Sequence, residues 1–196
     1  MKKGIRFIRS EESVKEPLLR PLFDDLVECE EQLEKSDSQF FRRAFVRAAF
    51  AFNEGCLYWL KENVVKQSLG KRLRTQNIDV TKLLLLADET YRPNRQGKLE
   101  SEPNRIPFAN YCAFVFRTMA ECLGYNPESL FSDNGWNEMQ KALLLRHKIT
   151  HPKNPADLEV TAEEMETVRE SHRWLFNCLA NIFIHAFKQI PSDDKS

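Results

Sequence analysis

Glycine is scarce in this chain, six residues in 196. That argues against a turn-rich β fold, whose tight turns need glycine. Charge of one sign is not in excess either: 29 Lys+Arg stand against 29 Asp+Glu, a formal net charge of zero. A protein that coats nucleic acid by bulk electrostatics needs a basic surplus, and that class is excluded. A local basic site is not. Long apolar runs are missing too: the stretch 83–87 (LLLLA) is far shorter than the roughly 20 residues a membrane helix requires. The start, MKKGIR, is basic with no apolar run behind it, so neither a secretory signal nor a membrane association is expected. Cysteine patterning is absent as well. The five cysteines (29, 56, 112, 122 and 178) are odd in number and form no CxxC pair, which supports neither a disulfide framework nor a zinc ribbon. Reduced thiols packed as small hydrophobes in a cytoplasmic protein are the expectation.

What the chain does hold is 42% hydrophobic and 30% charged residues, with 14 phenylalanines. That is an ordinary globular composition, and the length suits one domain. Helical periodicity recurs almost throughout. Leu18, Leu22, Leu26, Cys29 and Leu33 mark an N-terminal helix. Ser36-Asp37-Ser38 offers caps for a second, whose stripe is Phe41, Phe45, Ala48, Phe52, Cys56 and Trp59 and which runs to about residue 65. Residues 81–91 read as a short helix capped by Thr81, and 92–105 (RPNRQGKLESEPNR) as a loop. Pro107 opens a helix with stripe Phe108, Cys112, Val115, Met119 and Cys122, closed by Gly124. Asp133 or Asn134 caps the next, which Pro152 stops. Thr161 and Glu164 fit a capping box at the head of a last long helix, about 161–189. Residues 5–9 are read as a short strand or arm.

The expected fold is therefore all-α: an up-and-down antiparallel bundle of four long helices, with a short inserted helix and an N-terminal helix. One domain is expected over 1–196, with 1–37 an N-terminal extension, 66–105 an insertion and 191–196 a frayed tail.

Histidine is the cheapest guide to chemistry, since there are only four. His172 and His185 lie on the last helix with no ligand pattern around them. His147 and His151 share one hexapeptide, Arg146-His147-Lys148-Ile149-Thr150-His151, directly before Pro152. Cations in a last turn are favoured by the helix dipole, so this cluster has a purely structural reading. It also holds what phosphodiester cleavage without a metal needs. Histidine can take a proton from a ribose 2′-hydroxyl or give one to the leaving oxygen. Arginine holds the phosphate and stabilises charge developing on it. Arg146 and His151 are about 140° apart on an ideal helix, so joint action on one phosphate requires the helix to end at His151, or partners to converge across a dimer. His147 and His151, four apart on one face, are also a candidate zinc pair. The acid of an HExxH protease is missing, however, because residue 148 is lysine.

Arg146-His147-x-x-x-His151, near the end of the penultimate long helix of an all-α chain, resembles the RxxxxH signature of the HEPN superfamily. The residue after the arginine is commonly Asn, His or Asp there, and His147 fits. The resemblance spans about residues 38–190 and implies an up-and-down bundle of about four helices. It implies a metal-independent endoribonuclease, without cofactor, that works as a homodimer with the Arg and His of both subunits lining a shared cleft. Such proteins occur in toxin–antitoxin systems, antiviral defence and RNA processing, so an antitoxin or regulatory protein is an implied further partner. Arg146 would hold the phosphate, His151 would be the general acid or base, and His147 the motif residue that positions them. Superfamily members without activity give the alternative: a helical module that binds nucleotide, RNA or a protein.

With no net charge, RNA contact has to be local, weak and salt-sensitive. Its candidates are Lys141 and Lys148 beside the motif, Arg42, Arg43 and Arg47 on the second helix, and Lys71, Arg72 and Arg74 in the following connection. Each set also reads as a solvated face. Asn53 and Glu54 interrupt an apolar stretch (AAFAFNEG) and read either as groups facing the cleft or as a satisfied polar pair beside Gly55. Trp59, Trp136 and Trp174 recur at helical spacing with apolar neighbours, which favours core packing over base stacking.

Overall fold

The structure, a computed structural model, describes residues 19–69, 79–87, 89–103 and 106–188. The candidate arm at 5–9, the tail 191–196, and Lys71, Arg72 and Arg74 lie outside them. Six helices dominate: α1 (Leu19–Lys35), α2 (Gln39–Leu69), α3 (Val80–Leu86), α4 (Phe108–Cys122), α5 (Gly135–Thr150) and α6 (Ala162–Lys188). The fold is all-α, and among the described residues no helix is long and apolar enough to cross a membrane.

In the middle of α2, side chains from each turn are withdrawn from water: Phe45, Val46, Ala49, Phe50, Phe52, Cys56, Leu57 and Leu60 are buried. These residues cover more than one helical face, so α2 must be packed on several sides. It lies against α1, α4, α5 and α6. Cross-contacts give the directions. Asn53 meets His172 and Trp59 meets Phe183, so α2 and α6 run together. Arg47 meets Ile149 and Glu54 meets Arg146, so α5 runs opposite to α2. Phe23 packs on Phe52, and α1 also runs opposite after its three-residue connection. Phe116 packs on Trp174 across α4 and α6. Phe50, Phe116, Met139, Ile149, Leu175 and Ile182 fill the interior between them. Leu26 and Leu33 of α1 join the same core, so the N-terminal helix is part of the bundle's packing.

Local signals act where the sequence places them. Ser38 accepts from the Phe41 amide at the head of α2. Thr161 and Glu164 exchange both capping-box hydrogen bonds ahead of α6, at 3.1 and 2.8 Å. Asp133 accepts from the Gly135 amide at 2.9 Å. Gly124 takes a left-handed φ of 71° past α4. Trp174 is buried among Phe116, Phe131 and Trp136, and its indole N–H donates to the Leu130 carbonyl at 2.8 Å. Trp59 also packs against the core.

Three expectations need correction. The segment 92–105 is not simply a loop: β1 (Glu89–Pro93) pairs antiparallel with β2 (Leu99–Pro103). Asn94 organises the turn by accepting from the Gln96 and Lys98 amides, and Gly97 supplies a φ of 74°. The strands lack the alternation of a half-buried sheet because the hairpin has almost no apolar face to bury. The helix expected over 81–91 is shorter, Val80–Leu86, and its cap is Asp79, which accepts from the Thr81 amide at 3.0 Å. Helix α2 continues to Leu69, four residues past its expected end.

Candidate active site

Helix α5 carries Met139, Ala142, Leu145 and Ile149 inward, at spacings of three and four. Those positions rotate Leu144, His147 and Thr150 outward, and all three are exposed. The helix stops at Thr150. His151 leaves it with φ −126° and ψ 60°, its amide still donating to the His147 carbonyl at 3.0 Å. Pro152 has no N–H to extend the ladder. The demand that the helix end at His151 is met by this geometry. The His147 and His151 rings stand 5.1 Å apart, tilted by 56°. Among the described residues no group of three His, Cys, Asp or Glu side chains is placed to hold a metal ion.

Arg146 points to the side, toward α2. Its Nη2 donates to Glu54 Oε1 at 2.8 Å, across 92 residues of chain, with 39% and 42% of the two side chains exposed. A pair this wet contributes about 0–1 kcal/mol to stability. The three neighbours Asn53, Glu54 and Gly55 separate around α2, since successive residues turn by about 100°. Asn53 is fully buried against His172, whose Nδ1 lies 2.8 Å from its Oδ1. Gly55 faces α1, where an added Cβ would come within 2.6 Å of Leu22. Glu54 alone of the three reaches the motif.

Those cations proposed for RNA contact that lie among the described residues are engaged within the protein. Arg47 donates to the Ile149 carbonyl at 3.2 Å and so caps the end of α5. Arg43 donates to the Leu158 carbonyl at 2.8 Å. Arg42 spans Asp37 and the Val160 carbonyl. Lys148 bridges the Glu159 carbonyl and the Glu164 carboxylate at 3.2 and 2.7 Å. Burial raises the Glu164 carboxyl, yet the bonds from Lys148 and the Thr161 amide outweigh it and leave it lowered. Lys141 pairs with Glu138 one turn back along the same helix. Gln39, which no pattern singled out, clasps Val160 through both its amide donor and its acceptor. Several of these contacts converge on residues 158–160, ahead of α6.

The remaining polar groups are elsewhere. His172 is enclosed by Phe52 and Phe176, and burial lowers its pKa to about 4. Cys56, Cys112 and Cys178 are buried, and desolvation pushes their thiols up, that of Cys56 to about 12. Thiols held protonated in this way are poor nucleophiles. No family model, no curated protein and no solved structure matches the chain.

Proposed function

We propose that the chain is a metal-independent endoribonuclease of HEPN type that works as a homodimer with a composite cleft. The observation that carries this reading is the end of α5: the helix terminates at Thr150, and His151, five residues after Arg146, leaves it with a non-helical φ of −126° and ψ of 60°. One histidine removes the 2′-hydroxyl proton while that oxygen attacks the adjacent phosphorus. The P–O5′ bond breaks, the leaving oxygen takes a proton, and a 2′,3′-cyclic phosphate and a 5′-hydroxyl result. Arg146 stabilises the charge that builds on the phosphoryl oxygens. His151 is the proposed acid or base, and His147 beside it completes or orients the proton transfer. The substrate is single-stranded or looped RNA, and the setting is a toxin or defence system in the cytoplasm with an antitoxin as restraint.

The test is incubation of pure protein with a mixed RNA pool in excess chelator. Cleavage is expected to persist there and to fall by at least about 10²-fold in Arg146→Ala and in His151→Ala, made separately. Full activity in either variant would sink the assignment. An inactive wild type that still binds RNA would favour the non-catalytic module.

A further inference from the structure

We infer that Glu54 is a positioning residue of the proposed site, holding the Arg146 guanidinium ready for a phosphate; this deepens the ribonuclease reading and rests on it. Arg146 hangs on a long flexible stem beside the exposed end of α5. An arginine free to sweep there would have to be ordered anew each time a phosphate arrived. Glu54 removes that freedom from a rigid base, since it projects from a helix packed against α1, α4, α5 and α6. The contact is through one nitrogen, Nη2, to one oxygen at 2.8 Å. A guanidinium has five N–H donors, so most of its fork stays available to a second anion.

The fold does not need this pair. Ala142, Leu145 and Ile149 are buried along α5, and Arg47 separately fastens the Ile149 carbonyl to α2. A half-exposed ion pair adds little to that packing. Its placement, however, bears on the hexapeptide directly. His147 is the next residue, and His151 stands over it at 5.1 Å between rings. A fixed Arg146 thus sets where a phosphate can sit relative to both histidines.

Glu54→Ala and Glu54→Gln, assayed on the RNA pool in chelator beside the wild type, decide the matter. Glu54→Ala is expected to lower kcat by about 10- to 100-fold with KM changed less than about threefold, since orientation and not binding is lost. Glu54→Gln keeps an oxygen acceptor at the same reach and is expected to retain activity within about threefold of wild type. Both variants should unfold at the wild-type temperature, which a merely structural role would not allow alongside a kcat defect. Wild-type cleavage with an undiminished Glu54→Ala overturns the positioning role alone. Faster cleavage or tighter RNA binding in both variants also overturns it, because Glu54 would then be competing with phosphate for Arg146. A wild type that does not cleave at all overturns the ribonuclease reading, and this inference with it.

Discussion

His172 and His151 belong to neighbouring segments of one bundle, yet their surroundings differ completely. His151 is exposed at a helix end, while His172 lies against Asn53 between two phenylalanine rings. Burial disfavours the imidazolium and brings the folded-state pKa to about 4, against about 6.5 in an unfolded chain. As pH falls the unfolded state binds this proton first, so stability declines progressively from about pH 6.5 down to about pH 4 and levels off below. The full effect is on the order of 3 kcal/mol. The lowered carboxyls, such as Glu164, act only at the acid end of that window. Urea unfolding at pH 7 and pH 5 should therefore show a clear loss, and His172→Gln should shrink the difference between the two. Equal wild-type stability at both values would contradict the buried-neutral state. Of these features, the end of α5 ahead of His151 was readable from Pro152. Glu54's contact with Arg146 was not, because it depends on how α2 is rotated against a helix 92 residues away.

At the scale of elements, α5 is seated at both ends by contacts of different kinds. Its far end is held by polar bonds from Arg47 and Lys148. Its near end is held by a close approach: an added Cβ on Gly135 would come within 2.6–2.7 Å of the Cβ, Cδ1 and Cγ of buried Trp174. Trp174 is fixed by its neighbours and by the Leu130 carbonyl, so it has little room to give. Gly135→Ala is therefore expected to destabilise by roughly 1–3 kcal/mol, despite alanine's better helix propensity. Chemical denaturation measures this, and a variant as stable as wild type would show that the contact relaxes freely. The long helices and most of their caps were legible because 3.6-residue periodicity and capping pairs are local. The hairpin was not. Its pairing is fixed by a polar turn at Asn94 and Gly97, and no hydrophobic alternation announces it.

For the whole molecule, the proposed dimer needs a face that brings two motifs together. The outer row of α5 offers Leu144, 73% exposed, three residues before His147. The outer row of α2 beside it carries Phe40, 67% exposed, with Arg47, Ala51, Glu54 and Tyr58 following at helical spacing. Leu144→Glu would set two like charges against each other across a two-fold contact made by this face. The variant is expected to sediment as a monomer and to lose RNA cleavage, with its helical circular dichroism unchanged because the side chain is not in the core. A variant that remains dimeric and active would place the interface elsewhere. Zero net charge is compatible with this arrangement: the cations near the motif are committed to intramolecular partners, and only a few donors need face a phosphate.

Helix α2 turns three consecutive residues toward three different neighbours, Asn53 to α6, Glu54 to α5 and Gly55 to α1. That makes it intolerant of changes in phase. Deleting or inserting a single residue upstream in the helix would turn the whole triplet by about 100°. After an insertion an amide would face the space of a carboxylate, and a carboxylate the close approach of Gly55 to Leu22. The length of α2 between Ser38 and Asn53 is therefore fixed, and length variation in any relative should fall in the hairpin instead.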